Sequence, residues 1–211
     1  GLGIDRNASA GTYEVLIDGL PMARAVQPTE VPSLSVVPAS VDLSGAELEL
    51  VALEQREYRL RQAFAGIAGA YDYILIDCPP ALGLLTLNAL VAADSVLVPL
   101  QCEFLALEGL SQLVRTIERV KGAFNPSLGI QGIVLTMFDN RNNLSSLVAS
   151  DVRDYFGDTV YQTVIPRNVR VSEAPSHGKP VLLYDFRCTG AQAYVHLAGE
   201  ILRREEGAMN E

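Results

Sequence analysis

The sequence predicts an α/β protein, with a doubly wound, mostly parallel sheet. Three observations carry that expectation. The run Tyr71-Asp72-Tyr73-Ile74-Leu75-Ile76-Asp77 ends at two prolines, Pro79 and Pro80, and has no polar residue between Ile74 and Ile76. Such a run predicts a central strand buried on both faces, stopped where the prolines supply no backbone N–H. Strand-like runs then recur with helical patterns between them, which is the arrangement of parallel crossover units. Finally, 49% of the 211 residues are hydrophobic and 19% charged, enough apolar material for a substantial core.

Taken in order, residues 34–37 are short and β-branched and read as a strand. Residues 47–68 have helical spacing, with Glu54, Arg56, Glu57, Arg59 and Arg61 on a solvated face. Residues 73–77 are the strand already described, and residues 95–99 (SVLVP) another. Residues 107–124 read as an amphipathic helix stopped by Asn125-Pro126. A strand over 130–136, a helix over 144–156 ending at Gly157, a strand over 160–165 cut by Pro166, and a closing helix over 191–204 complete the pattern. With no low-complexity segment, internal repeat or Gly/Ser linker, the whole of 1–211 reads as a single domain.

Composition narrows the function classes. No apolar run approaches the roughly 18 residues of a membrane span. The opening GLGIDRNASAG carries neither the basic nor the apolar region of a signal peptide, and it has no initiator Met. Cys78, Cys102 and Cys188 are far apart, which predicts reduced thiols rather than a disulfide framework or zinc site. His177 and His196 are too scattered for a metal cluster. The net charge is −9, but residues 1–100 hold 5 basic and 12 acidic side chains, whereas residues 141–188 hold 6 and 5. A local basic strip in the second half can still meet phosphates.

Asp77 lands at the carboxyl end of its expected strand, where open α/β sheets place ligands. An acid there either helps hold Mg²⁺ beside a nucleotide or simply caps a turn, and the local pattern fits both. Arg141, Arg167 and Arg170 could grip phosphates without reading sequence. Leu110, Leu113, Val114 and Ile117 form a helical stripe that reads as core. Ser111 and Thr136 lack His–Asp partners at any recognisable spacing, so covalent catalysis is set aside.

Five ordered blocks carry a resemblance: GLGI with PASVDLSGAELEL (38–50), YDYILIDCPPALGLLTLNAL (71–90), VPLQCEFLALEGLSQL (98–113), GIVLTMFDNRNNLS (132–145) and VIPRNVRVSEAPSHGKPVLLYD (164–185). Together they resemble the ParA/Soj family of chromosome and plasmid partition ATPases, deviant-Walker relatives of MinD. The resemblance implies a P-loop NTPase-like fold, ATP and Mg²⁺ as cofactors, and Asp77 as the Walker B acid contacting magnesium through water. It implies that Thr136, Met137, Pro166 and Asn168 border the adenine, with Met137 and Pro166 apolar and Asn168 polar. It implies that Arg141, Arg167 and Arg170 touch non-specific DNA. The PPALGLLTLNAL stretch matches a switch region shaped by Pro-Pro and Gly83. Glu103 and Glu108 match a dimer or partner face.

No Gly-x-x-x-x-Gly-Lys-Ser/Thr string occurs in the 211 residues, and Gly178-Lys179-Pro180 is not one. In the family, that loop and the water-positioning aspartate lie upstream of GLGI. The expectation is therefore a C-terminal part of such a protein, with the N-terminal strand and P-loop missing and no catalytic residue on this chain. By itself the chain should bind ATP poorly and hydrolyse none, and neighbours of the missing strand should expose edges and apolar faces. The function so implied is ATP-dependent DNA segregation by an ATP-dependent homodimer, cytoplasmic and nucleoid-associated, stimulated by a ParB-like partner. A P-loop-free, non-catalytic relative that binds DNA or a partner is the alternative. A MinD-type membrane-surface role needs a basic amphipathic tail, and GEILRREEGAMNE is acidic.

Overall fold

The computed structural model describes residues 1–4, 10–79 and 81–209. Pro80 of the expected strand stop, and residues 5–9 of the opening stretch, lie outside the described residues. Two compact units are present: residues 3–95 with 117–128, and residues 96–116 with 129–211 and 1–2.

The first unit contains α1 (Thr12–Leu16), α2 (Met22–Ala25), a short antiparallel pair β1 (Gln27–Pro28) and β2 (Ser35–Val36), then α3 (Ala46–Leu50), α4 (Arg59–Phe64) and α5 (Leu84–Ala92). Val15, Leu16, Met22, Ala25, Leu50, Leu60 and Ala89 form its core. Arg59 crosses to the end of α1, where Nε donates to the Leu16 carbonyl at 2.9 Å and Nη2 to that of Ile17 at 3.2 Å. These bonds satisfy carbonyls that a helix end leaves open.

The helix expected over 47–68 is broken between α3 and α4, and the cause is tertiary. In a continuous helix the Leu60 N–H would donate to the Arg56 carbonyl. The fully buried Asn88 takes both groups instead: its Nδ2 donates to the Arg56 carbonyl at 2.7 Å and its Oδ1 accepts from the Leu60 N–H at 3.1 Å. Within the break Gln55 has φ 50°.

Residues 73–77 are also corrected. They form no strand and belong to neither sheet. Leu75 is 88% exposed, Tyr73 55% and Ile74 38%, while Tyr71 and Ile76 pack against the first unit's core. A strand buried on both faces needs ladder neighbours and a covering layer on each side. This segment is covered on one side alone, through Tyr71 and Ile76, and Tyr73, Ile74, Leu75 and Asp77 are exposed.

The second unit is built on a three-stranded sheet in the order β3-β4-β5, from β3 (Ser95–Gln101), β4 (Gly129–Phe138) and β5 (Val160–Pro166). β4 and β5 run parallel. Helices α6 (Ala106–Ala123, which passes through both units), α7 (Asn143–Phe156), α8 (Val169–Glu173), α9 (Val181–Tyr184) and α10 (Thr189–Met209) complete it. Val98, Leu100, Leu110, Ile133, Leu135, Val148 and Val152 form the main core, so the Leu110 stripe is core as the spacing predicts. Gly132 leaves room for the buried Tyr161 ring, since a Cβ there would stand 2.3 Å from Tyr161 Cε2. Helix α10 covers the β5 edge: Glu200 accepts from the Gln162 N–H at 2.8 Å and the Thr163 N–H at 2.9 Å. Burial alone would raise the Glu200 carboxyl pKa, but these bonds outweigh it and hold the pKa below its ordinary value. Two backbone N–H groups of β5 are thereby taken out of further pairing.

Candidate functional site

In the second unit, the carboxyl ends of β4 and β5 bring together most of the residues singled out from the sequence. Phe138 lies opposite Pro166, and the Arg167 N–H donates to the Phe138 carbonyl at 3.0 Å. Thr136, Met137, Pro166, Arg167 and Asn168 therefore share one end of the sheet. The register from Leu135↔Val164 to Phe138↔Pro166 takes three steps on β4 and two on β5. That extra residue is a bulge, a device that re-aims a side chain at a strand end. Met137, inside it, has φ 53° and is exposed. Thr136 is half-buried, and its carbonyl accepts weakly from the Cys102 N–H at 3.4 Å.

Asn168 is the N-cap of α8. Its Oδ1 accepts from the Arg170 N–H at 2.8 Å and its Nδ2 donates to Thr189 Oγ1 at 3.0 Å. Among the described residues its second amide hydrogen has no partner, since the side chain carries two. Asn168 thus acts as a helix cap and as a tie to the start of α10.

The three arginines differ in their electrostatic surroundings. Arg141 is held by Asp139 through a fork, Nε to Oδ1 at 2.9 Å and Nη2 to Oδ2 at 2.8 Å, with its own N–H on Oδ1 at 3.0 Å. Those bonds, the side-chain pair first, hold the Asp139 carboxyl well below the usual carboxylate range, and the charge of Arg167 adds to the effect. Arg170 donates from Nη1 to Glu173 Oε2 at 2.9 Å and lies 3.6 Å by Nε from Asp185 Oδ2. Exposed pairs of this kind contribute little to stability and leave the cation open to exchange partners. Arg167 is exposed and forms no ion pair among the described residues. Asp139, Glu173 and Asp185 were not recognisable as partners from the sequence. Only the short Asp-x-Arg spacing hinted at the first.

Asp77 belongs to the first unit. Its carboxylate is exposed, with no hydrogen bond or ion pair among the described residues. Cys78 beside it has its thiol pushed up, by burial first and by the Asp77 charge second. An open carboxylate with free oxygens fits the oxygen-only preference and water shell of Mg²⁺. Among the described residues no group of three His, Cys, Asp or Glu side chains is arranged to hold a metal ion alone. Asp77 could therefore contribute one contact but not a full coordination sphere. Further along, Thr86 Oγ1 on α5 donates to the Ala81 carbonyl at 2.6 Å. Glu103 and Glu108 are exposed near the start of α6, beside the exposed Phe104 and Leu105. Among the described residues no helix is long and apolar enough to cross a membrane.

Residues 1–130 match a family described as an AAA domain, AAA_31. The chain is 61% identical over 208 residues to the chromosome partitioning protein ParA of Caulobacter vibrioides (strain NA1000 / CB15N), covering 97% of this chain and 78% of that protein. It is 52% identical over 202 residues to the sporulation initiation inhibitor protein Soj of Bacillus subtilis (strain 168), covering 95% and 80%. Among solved structures, cobyrinic acid a,c-diamide synthase of Mycobacterium smegmatis with bound ATP analog and magnesium is similar at a TM-score of 0.82 and 36% identity, over 98% of this chain and 78% of that one. The cell division ATPase MinD of Pyrococcus furiosus is similar at 0.77 and 25%, over 96% and 78%. The fold is that of these P-loop NTPases, and with such identity over nearly its full length the chain belongs to the ParA/Soj family of chromosome-partitioning ATPases.

Proposed function

We propose that this chain is part of an ATP-dependent DNA-segregation ATPase that dimerises on ATP, binds DNA non-specifically and is stimulated by a ParB-like partner. The observation that carries the reading is the 61% identity to a chromosome partitioning protein across 97% of the chain. We read 1–211 as one ATPase domain. Asp77 would hold Mg²⁺ through water, and the metal would supply charge neutralisation on the phosphates. Met137 and Pro166 would offer apolar surface to the base, and the spare amide hydrogen of Asn168 a polar contact. Arg141, Arg167 and Arg170 would meet backbone phosphates. Their exposure supports that role, and the carboxylate partners of Arg141 and Arg170 support weak, salt-sensitive binding.

The test is a mobility shift at low salt with the full-length protein. Changing Arg141 and Arg170 together to Glu should abolish DNA binding with ATP binding kept, and each single change should lower the salt slope by about one. Unchanged DNA affinity would remove the DNA assignment. A second reading is a non-catalytic relative that binds DNA or a partner. Turnover of ATP by the full-length protein would exclude it.

A further inference from the structure

The segment PASVDLSGAELEL (38–50) contains α3, and its Glu47 reaches Gly83 and the start of α5. Gly83 is the N-cap of α5 and has no side chain with which to accept from the first-turn N–H groups. Glu47 supplies the missing oxygen from α3: its Oε1 accepts from the Leu85 N–H at 3.4 Å. That bond is long, but the carboxylate also lies at the positive end of the α5 dipole. The fit depends on the glycine, since a Cβ at residue 83 would stand 1.8 Å from Glu47 Oε1. Ala46 and Leu50, both fully buried, fix α3 and therefore Glu47. On the other side Thr86 ties the turn to α5 through the Ala81 carbonyl, and Asn88 ties α5 to the Arg56–Leu60 segment. The start of α5 is thus capped by one acid from a segment nearly forty residues earlier.

We propose that Glu47 is a positioning residue for ATP turnover. It caps α5 from outside, sets where Gly83 and the start of α5 stand, and touches no phosphate itself. The proposal rests on the reading of Asp77 as the magnesium-side acid.

The test uses the full-length protein with Mg-ATP, measuring kcat and nucleotide affinity separately. Glu47→Ala should lower kcat about tenfold with ATP affinity within about twofold, the split expected when positioning rather than binding is lost. Glu47→Gln keeps a carbonyl oxygen that can accept and should retain most of kcat. Gly83→Ala should reproduce the loss, because its Cβ displaces the carboxylate. The double variant Glu47→Ala/Gly83→Ala should lose no more than either single change, as expected for two residues in one contact. If Glu47→Ala does not fold, Glu47→Gln and Gly83→Ala carry the comparison. A lowered melting temperature with kcat unchanged would make Glu47 merely structural and overturn the proposal, as would additive losses in the double variant. Failure of the unaltered protein to bind Mg-ATP would instead sink the functional reading itself, and this proposal with it; that control is measured first.

Discussion

Met137 has φ 53° in a strand-end bulge, a conformation that costs an L-residue about 1–2 kcal/mol. Such outliers persist where surrounding structure imposes them, and they gather at ligand sites. Here the imposing structure is the Leu135↔Val164 and Phe138↔Pro166 pairing, which leaves β4 one residue too long. Met137→Gly should therefore leave the melting temperature unchanged or raised, because glycine adopts this φ freely. If the thioether touches the base, the same change should weaken binding of an ATP analogue to the full-length protein by about tenfold. A drop in melting temperature would show that the side chain stabilises the fold more than its backbone strains it. The residue type and strand-end position were legible in the sequence. The bulge was not, because it follows from the length of β4 against β5.

At the scale of elements, Asn88 decides where one helix ends and another begins. The charge pattern of residues 47–68 fits a single helix, yet the amide of Asn88 inserts between the Arg56 carbonyl and the Leu60 N–H. Local propensity is worth tenths of a kcal/mol per residue, whereas a buried donor or acceptor left without a partner costs about 1–3 kcal/mol. In a continuous helix the Asn88 Nδ2 would keep the Leu84 carbonyl at 2.9 Å, but its buried Oδ1 would lose the Leu60 N–H. Asn88→Ala should destabilise the protein by about 1–3 kcal/mol, measured by urea unfolding. A neutral result would mean that the Arg56–Leu60 pair simply re-forms. Helices α6 and α7 and strand β4 were legible nearly to their ends, because their apolar spacing is local and their breakers, Asn125-Pro126 and Gly157, adjoin them.

For the whole molecule, the segment 73–77 has the largest consequence. Leu75 and Tyr73 present apolar surface to solvent beside the candidate acid Asp77. Exposed apolar runs of this kind favour association between copies. Leu75→Glu should reduce concentration-dependent light scattering of the 211-residue chain while shifting its stability by less than about 0.5 kcal/mol, as expected of a surface change. Undiminished scattering would place the sticky surface elsewhere. The same segment marks the limit of sequence reading, since its pattern states what burial the run could accept and not which partners stand beside it.

The sequence by itself determined the family, the α/β class, most helices and strands of the second unit, and the residue types at the ends of β4 and β5. These are properties of local spacing and of ordered motifs. Tertiary structure decided that Asn88 breaks a helix, that Asp139, Glu173 and Asp185 hold two of the three arginines, and that Glu47 caps α5 through the space left by Gly83. Each of these depends on groups meeting through the folded backbone or on close packing. A short polar side chain reveals such a partner only once the chain has folded around it.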